Sequence, residues 1–176
     1  MDFVYIALLI VLGILMVVTV VVTMVTGTIL SSAPWVPTSK KISRAMCELA
    51  DLKPGDKVLD LGCGDASILI VAAREFGAKC VGVELNPMVA LMARIKVRLA
   101  GVGDSVTIIR ENMFKVDLPD TDVVMMYLLP KATHKIEGRL KERFKHLTIV
   151  SHGFELDTKE SKNKKVNGST IRKYNW

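Results

Sequence analysis

The stretch Val58-Leu59-Asp60-Leu61-Gly62-Cys63-Gly64-Asp65-Ala66 constrains the fold more than any other part of this chain. An apolar strand that breaks into two closely spaced glycines ahead of a helical pattern is how an α/β sheet receives a nucleotide-like ligand. Gly62 and Gly64 permit a sharp turn and a close approach of backbone to ligand, because a Cβ at either place would occupy the ligand's volume. After a helix expected from Ile68 to Phe76, Lys79-Cys80-Val81-Gly82-Val83-Glu84 reads as a second buried strand. It ends in an acid about 20 residues past the glycines, where a carboxylate can accept both ribose hydroxyls.

A plain strand-to-helix loop and a nicotinamide enzyme share parts of this pattern, and Asp60 separates them. An acid ahead of the first glycine repels a pyrophosphate but suits a cofactor that carries an amino group and a sulfonium cation, as S-adenosylmethionine does. Ala66 stands where a dinucleotide site usually has its third glycine, which points the same way.

Phe3 to Leu30 contains no charged side chain over 28 positions, more than the ~20 that cross a hydrocarbon core as a helix. A buried core helix is rarely so long and uniformly apolar, a surface helix shows a charged face, and a cleavable signal has a basic start where this chain has Asp2. Ser31-Ser32-Ala33 resembles a cleavage site, but Pro34 follows it directly. The expected organisation is a transmembrane helix over residues 3–30, a proline-containing entry segment with a capping helix over 31–56, and a catalytic domain over 57–176. Lys40, Lys41 and Arg44 follow the span and no basic residue precedes it, which places the domain on the cytoplasmic side of a single-pass anchor. The net charge of +6 lies outside the span, so the soluble part suits an anionic leaflet, with nucleic acid as the rival explanation. Cys47, Cys63 and Cys80 sit in or beside apolar segments without metal-ligand spacing and read as structural thiols; no metal site is expected.

Pro34-Trp35-Val36-Pro37-Thr38 cannot continue a membrane helix. Thr38 or Ser39 can cap a helix through Leu49, and turn residues from Asp51 to Asp56 lead to a first strand at Lys57 to Leu61. Asn86 caps a helix that Pro87 starts and that runs to about Ala100. Further strands are expected at Ser105 to Arg110, Asp122 to Leu128 and Leu147 to Val150, with a helix at Ala132 to Phe144 and a final strand at Thr170 to Asn175. The lysine run from Lys159 to Lys173 reads as a solvated, mobile surface. Strands alternating with helices predict an α/β domain, a mostly parallel Rossmann-like sheet with helices on both faces and ligands at the carboxyl ends of the strands.

These residues resemble the class I, seven-stranded S-adenosylmethionine-dependent methyltransferases. More narrowly, they resemble the small archaeal protein-lysine methyltransferases and their membrane-anchored mitochondrial relatives. The resemblance spans roughly Ala33 to Glu155 and is carried by P-W-V-P-T at Pro34 to Thr38, V-L-D-L-G-C-G-D at Val58 to Asp65, and V-G-V-E-L-N at Val81 to Asn86. It continues in E-N-M-F-K-V-D at Glu111 to Asp117, M-Y-L-L-P at Met126 to Pro130, and V-S-H-G-F-E at Val150 to Glu155. It implies that Asp60, Gly62 and Gly64 border the methionine moiety, that Glu84 holds the ribose, that Asn112 and Met113 meet the adenine, and that Thr38 approaches the cofactor's carboxylate. Trp35, Pro37 and Tyr127 would line the lysine entrance, with Trp35 and Tyr127 as the candidate catalytic walls. The chain departs from the family in having Ala66-Ser67 where Gly-Arg is usual, which is expected to weaken cofactor binding, and in the short lysine-rich segment after the fifth strand.

The resemblance implies a monomeric, membrane-anchored enzyme that methylates the lysine amine of a protein, membrane proteins included, and does not act on nucleic acid. Methylation of a small molecule or lipid, of RNA, and a non-catalytic scaffold are the alternatives. Among the histidines, His134 and His146 read as surface positions, and His152, after the fifth strand, is a candidate base whose structural role is favoured. Glu155 shares that reading.

Overall fold

The structure, a computed structural model, describes residues 2–30 and 36–176. The chain divides after Pro34 into two compact units.

The first unit is one α-helix, α1 (Asp2–Leu30). Its segment Phe3–Thr23, 21 residues, is long and apolar enough to cross a membrane, spanning about 30 Å at 1.5 Å per residue. Thr19 Oγ1 donates to the Leu15 carbonyl at 2.8 Å and Thr23 Oγ1 to the Thr19 carbonyl at 2.6 Å. Such back-bonding satisfies hydroxyls inside the helix, as an apolar surrounding requires.

The second unit runs α2 (Lys40–Ala50), β1 (Lys57–Leu61), α3 (Ser67–Phe76), β2 (Lys79–Glu84), α4 (Pro87–Leu99), β3 (Val106–Arg110), β4 (Val123–Met126), α5 (Pro130–Arg143), β5 (Thr148–His152), β6 (Lys162–Val166) and β7 (Ser169–Asn175). The strands form one sheet in the order β3-β2-β1-β4-β5-β7-β6. Neighbours from β3 to β5 are parallel, while β7 is antiparallel to both β5 and β6. This is the Rossmann-like architecture expected from the alternation of strands and helices.

The central strands are buried on both faces, so Val58–Leu61 and Val123–Met126 are continuous apolar runs interrupted only by Asp60. One side of the sheet contributes Val58, Cys80, Val123, Met125 and Val150 to a core shared with α2, α3 and α4. Alternation points Leu59, Leu61, Val124, Met126 and Ile149 to the other side, all fully buried. Among the described helices α5 remains to cover them, and it supplies Ile136 and Leu140, equally buried. Each such side chain contributes roughly 1.5–3 kcal/mol of transfer free energy.

Local chemistry explains the element ends. Ser39 rather than Thr38 caps α2, its Oγ accepting the Ile42 N–H at 3.4 Å. Asn86 caps α4 through its Oδ1, which accepts the Met88 and Val89 N–H groups, and Pro87 opens the helix. Leu147 precedes β5 rather than starting it, and the strand extends to His152.

The expected final strand at Thr170 to Asn175 is present as β7, but the lysine-rich segment before it corrects the reading of a mobile surface, because it supplies β6. The two strands form a β-hairpin, with Asn167 (φ +50°) and Gly168 (φ +79°) at its turn. Positive φ at both central residues is what a tight hairpin turn demands, and Asn-Gly meets it cheaply. Lysines on β6 are the charges that keep an edge strand from pairing with other chains. Lys164 Nζ bonds Glu48 at 2.9 Å and Lys173 Nζ bonds Asp51 at 2.6 Å, tying the hairpin to α2 and its C-cap.

Candidate active site

Strand order reverses between β1 and β4, so the chain leaves their carboxyl ends in opposite directions and opens a crevice between them. Gly62 lies at its floor with φ +79°, and a Cβ there would come within 2.9 Å of Leu128 Cδ2 in the loop after β4. The Gly62 and Cys63 N–H groups both donate to the Val83 carbonyl, at 2.9 and 3.0 Å, which ties the glycine loop to β2. Gly64 follows in the left-handed region, at φ +55°.

Glu84 closes β2 beside this loop. Its Oε2 accepts the Gly64 N–H at 3.1 Å and its Oε1 the Asn86 N–H at 2.8 Å. Burial raises its pKa against the pull of these bonds. Each oxygen keeps a lone pair beyond its backbone bond, as a carboxylate needs to hold a diol.

Asp60 is 1% exposed, and its Oδ2 has no hydrogen-bond partner among the described residues. Burial, then the charges of Glu84 and Asp65, push its pKa up to about 8. A buried, unpartnered acid beside two other carboxylates calls for a cation, and the amino and sulfonium groups of S-adenosylmethionine meet that need. The residues therefore fit this cofactor.

The Ala66-Ser67 departure has a local consequence and a local substitute. Ala66 is fully buried and held at φ +62°, where a glycine is unstrained. Asp65 Oδ1 accepts the Ser67 N–H at 3.2 Å and its Oγ at 2.8 Å, while Lys96 of α4 pairs with Asp65 Oδ2 and reaches Ser67 Oγ at 3.2 Å. The cation beside Asp65 thus comes from another helix.

The loop after β3 carries Asn112 and Met113, both half-buried. Asn112 Oδ1 accepts the Phe114 N–H at 2.9 Å, and the Asn112 carbonyl accepts from Lys115 and Val116 at 2.8 and 2.9 Å. Arg139 of α5 donates to the Met113 carbonyl at 2.7 Å and to the Val116 carbonyl. That clamp was not visible in the sequence, because it joins residues 26 and 23 positions apart. Gly82 was missed as well: a Cβ there would lie 2.7 Å from both Cys63 Sγ and Leu69 Cδ1, so its absence lets α3 and the glycine loop settle on β2.

Across the crevice, β4 ends at Met126 opposite Ser151 of β5, which brings the next pair, Tyr127 and His152, together. Their rings lie 4.0 Å apart at 37°. His152 is 5% exposed, its Nδ1 lacks a partner among the described residues, and burial lowers its pKa, which favours the neutral ring. Glu155 instead lies exposed and pairs with Arg172 Nη2 at 2.7 Å, away from a proton-transfer role. His134 and His146 are exposed. Thr38 is half-buried just before the α2 cap, and Pro37 is exposed. Trp35 and Pro34 lie outside the described residues.

The cysteines are buried, and burial raises all three thiol pKa values, Cys80 to about 12. They are packing groups. The ligand atoms of His134, Glu137 and Asp157 lie within 4.8 Å of one another. Glu137's oxygens already accept the Asp157 N–H, the Thr158 N–H and hydroxyl, and the Lys141 ammonium. The group therefore ties α5 to the loop after β5.

Known proteins share this arrangement. The family model described as the ANTKMT methyltransferase domain matches residues 60–163. The chain is 39% identical over 125 residues to a protein-lysine N-methyltransferase of Saccharolobus islandicus, covering 70% of this chain and 78% of the relative. It is 33% identical over 127 residues to the adenine nucleotide translocase lysine N-methyltransferase of Mus musculus, covering 71% of this chain and 55% of that protein. An RNA methyltransferase from Salinibacter ruber, solved with S-adenosyl-L-homocysteine, superposes with a TM-score of 0.77 at 35% identity over 80% of this chain and 93% of that one. By its sheet, its glycine loop and these matches, the chain belongs to the ANTKMT methyltransferase domain family of class I S-adenosylmethionine-dependent methyltransferases.

Proposed function

We propose that this chain methylates the side-chain amine of lysine in a protein and is held at a membrane by α1, with its catalytic unit on the cytoplasmic side. The observation that carries the cofactor half of the reading is Asp60, a buried acid with an orphaned oxygen beside the diol-ready carboxylate of Glu84. The lysine half is supported by the Saccharolobus and mouse relatives, both named for lysine methylation. The anchor is supported by the length and apolarity of Phe3–Thr23 and by Lys40, Lys41 and Arg44 after it.

When bound, S-adenosylmethionine supplies a methyl group on a good leaving group, so transfer needs alignment more than a metal or a covalent intermediate. Gly62 and Gly64 would leave room for the methionine part beside Asp60, Glu84 would accept the ribose hydroxyls, and the Arg139-clamped loop at Asn112 and Met113 would border the adenine. Thr38 would meet the carboxylate. The substrate must lose a proton, which at neutral pH costs about 4–5 kcal/mol for an unperturbed lysine. An apolar entrance reduces that cost by disfavouring the ammonium. Tyr127, braced by the neutral His152 ring, offers one aromatic wall that can guide the cation inward, and Trp35 is the second candidate.

Radiolabelled methyl donor added to the purified chain with membrane extract should label protease-sensitive bands. The Salinibacter structure and the net charge of +6 favour RNA as a second reading. Label found only in nuclease-sensitive or solvent-extractable material overturns the lysine assignment.

A further inference from the structure

Helix α4 leaves an apolar face uncovered. Leu91, Ile95 and Leu99, each four residues apart, are 48%, 51% and 84% exposed, and Leu85 just before the helix is 47% exposed. In the second unit, the other exposed large apolar side chains among the described residues are Val36 and the less exposed Leu129, so the exposure is concentrated on one element. The opposite face, Val89, Ala90, Ala93 and Val97, is buried. Residues four apart stack on one side of a helix, so the outward leucines and isoleucine form a continuous stripe, with Arg94 and Arg98 one position back along its flank.

The charged residues of α4 itself, Arg94, Lys96 and Arg98, have a single sign, and Lys96 is paired with Asp65. No aspartate or glutamate occurs from Leu85 to Gly103. Arg94 donates through Nε and Nη2 to the Ile108 carbonyl, which leaves Nη1 uncommitted, and neither Arg94 nor Arg98 has an ion pair among the described residues. A second copy packed helix to helix on this stripe by two-fold symmetry would bring arginines together with no acid on α4 to offset them. An apolar stripe whose own helix carries only cations matches the boundary of an anionic bilayer, where acyl chains meet phosphates.

We propose that α4 is a membrane-surface contact, with Leu91, Ile95 and Leu99 in the acyl boundary and Arg94 and Arg98 at anionic headgroups. This goes beyond a tether by α1, because it orients the catalytic unit. Leu85 directly follows Glu84 at the carboxyl edge of the sheet and Leu99 closes α4 toward the amino edge, so the contact lays the α4 flank of the sheet along the lipid and fixes the distance of the carboxyl edge from the membrane plane.

The native thiols are buried, so Ile95→Cys introduces the reactive one, and a polarity-sensitive fluorophore can be placed there in the full chain. The labelled chain is reconstituted into phosphatidylcholine vesicles with or without phosphatidylglycerol. Phosphatidylglycerol should shift the emission to the blue and protect it from acrylamide by about threefold or more. Arg98→Glu should abolish that protection, while a label at Lys162→Cys stays equally quenchable in both vesicles. Equal quenching at position 95 with and without phosphatidylglycerol overturns the proposal. So does protection that tracks protein density, which marks a second copy, or protection that requires added extract protein, which marks a protein partner. The readout does not depend on methyl transfer, so its failure is separate from failure of the enzymatic reading.

Discussion

The two sides of the β1/β4 reversal are built by different means. Toward β3, the site is made of backbone: glycines with positive φ, N–H groups bonded to Val83 and Glu84, and a carboxylate without a partner. Toward β6, it is held by side chains that reach across loops. Thr133 Oγ1 donates to the Leu128 and Leu129 carbonyls at 3.3 and 3.2 Å, Ser151 Oγ to the Phe154 carbonyl at 2.7 Å, and Arg172 to the Gly153 carbonyl at 3.1 Å. A backbone cradle admits few substitutions and suits an invariant cofactor. Side-chain ties leave the entrance free to change with the substrate while the cradle stays fixed.

The sharpest break between the halves should come from Glu84→Ala, which removes the two carboxylate oxygens proposed to accept the diol and strands the Gly64 and Asn86 N–H groups. Cofactor affinity should fall by about 100-fold, the worth of two hydrogen bonds to a charged group, and calorimetry reads it directly. Tyr127→Ala should lower kcat/KM for the protein substrate by about 10-fold or more while the cofactor Kd stays unchanged. A parallel loss of cofactor binding would show that the halves are not separable.

Asp60→Asn should split stability from function. The folded protein keeps the Asp60 proton that the unfolded chain releases near the ordinary value of 3.8. This group's contribution to stability is therefore intact below that pH and is lost as pH rises toward about 8. The asparagine should raise the ligand-free Tm at pH 8, flatten its pH dependence, and weaken cofactor binding about 10-fold. In the unmodified chain, calorimetry in buffers of different ionisation enthalpy should show a proton released on cofactor binding near pH 7. The smallest effect is expected from Ala66→Gly, which relieves a left-handed alanine and should stabilise the protein by up to about 1 kcal/mol, read by denaturant unfolding.

Much of the cofactor half was legible in the chain, because its causes are local. Val58 to Asp65 specifies a strand, a turn and a ligand-facing loop within one stretch, and Glu84 follows at a distance set by one helix and one strand. Asn86-Pro87 announces a helix start for similarly short-range reasons. The β6 strand was not legible: Lys162 to Val166 is polar because it is a charged edge, and the stronger signal, Asn167-Gly168, stood unused between a run read as solvated surface and the expected final strand. Gly82 looked like any strand residue until α3 was packed on it.

Chain order alone settled the strand-to-helix alternation, the apolar helix and the position of the glycine turn, since each depends on neighbours a few residues apart. The pairing of Tyr127 with His152, the Arg139 clamp on the loop after β3, the Lys96 cation at Asp65 and the bare apolar face of α4 came from folding. Those contacts join residues separated by whole elements, and burial, which decides a carboxylate's pKa or a leucine's exposure, is a property of what packs around a side chain.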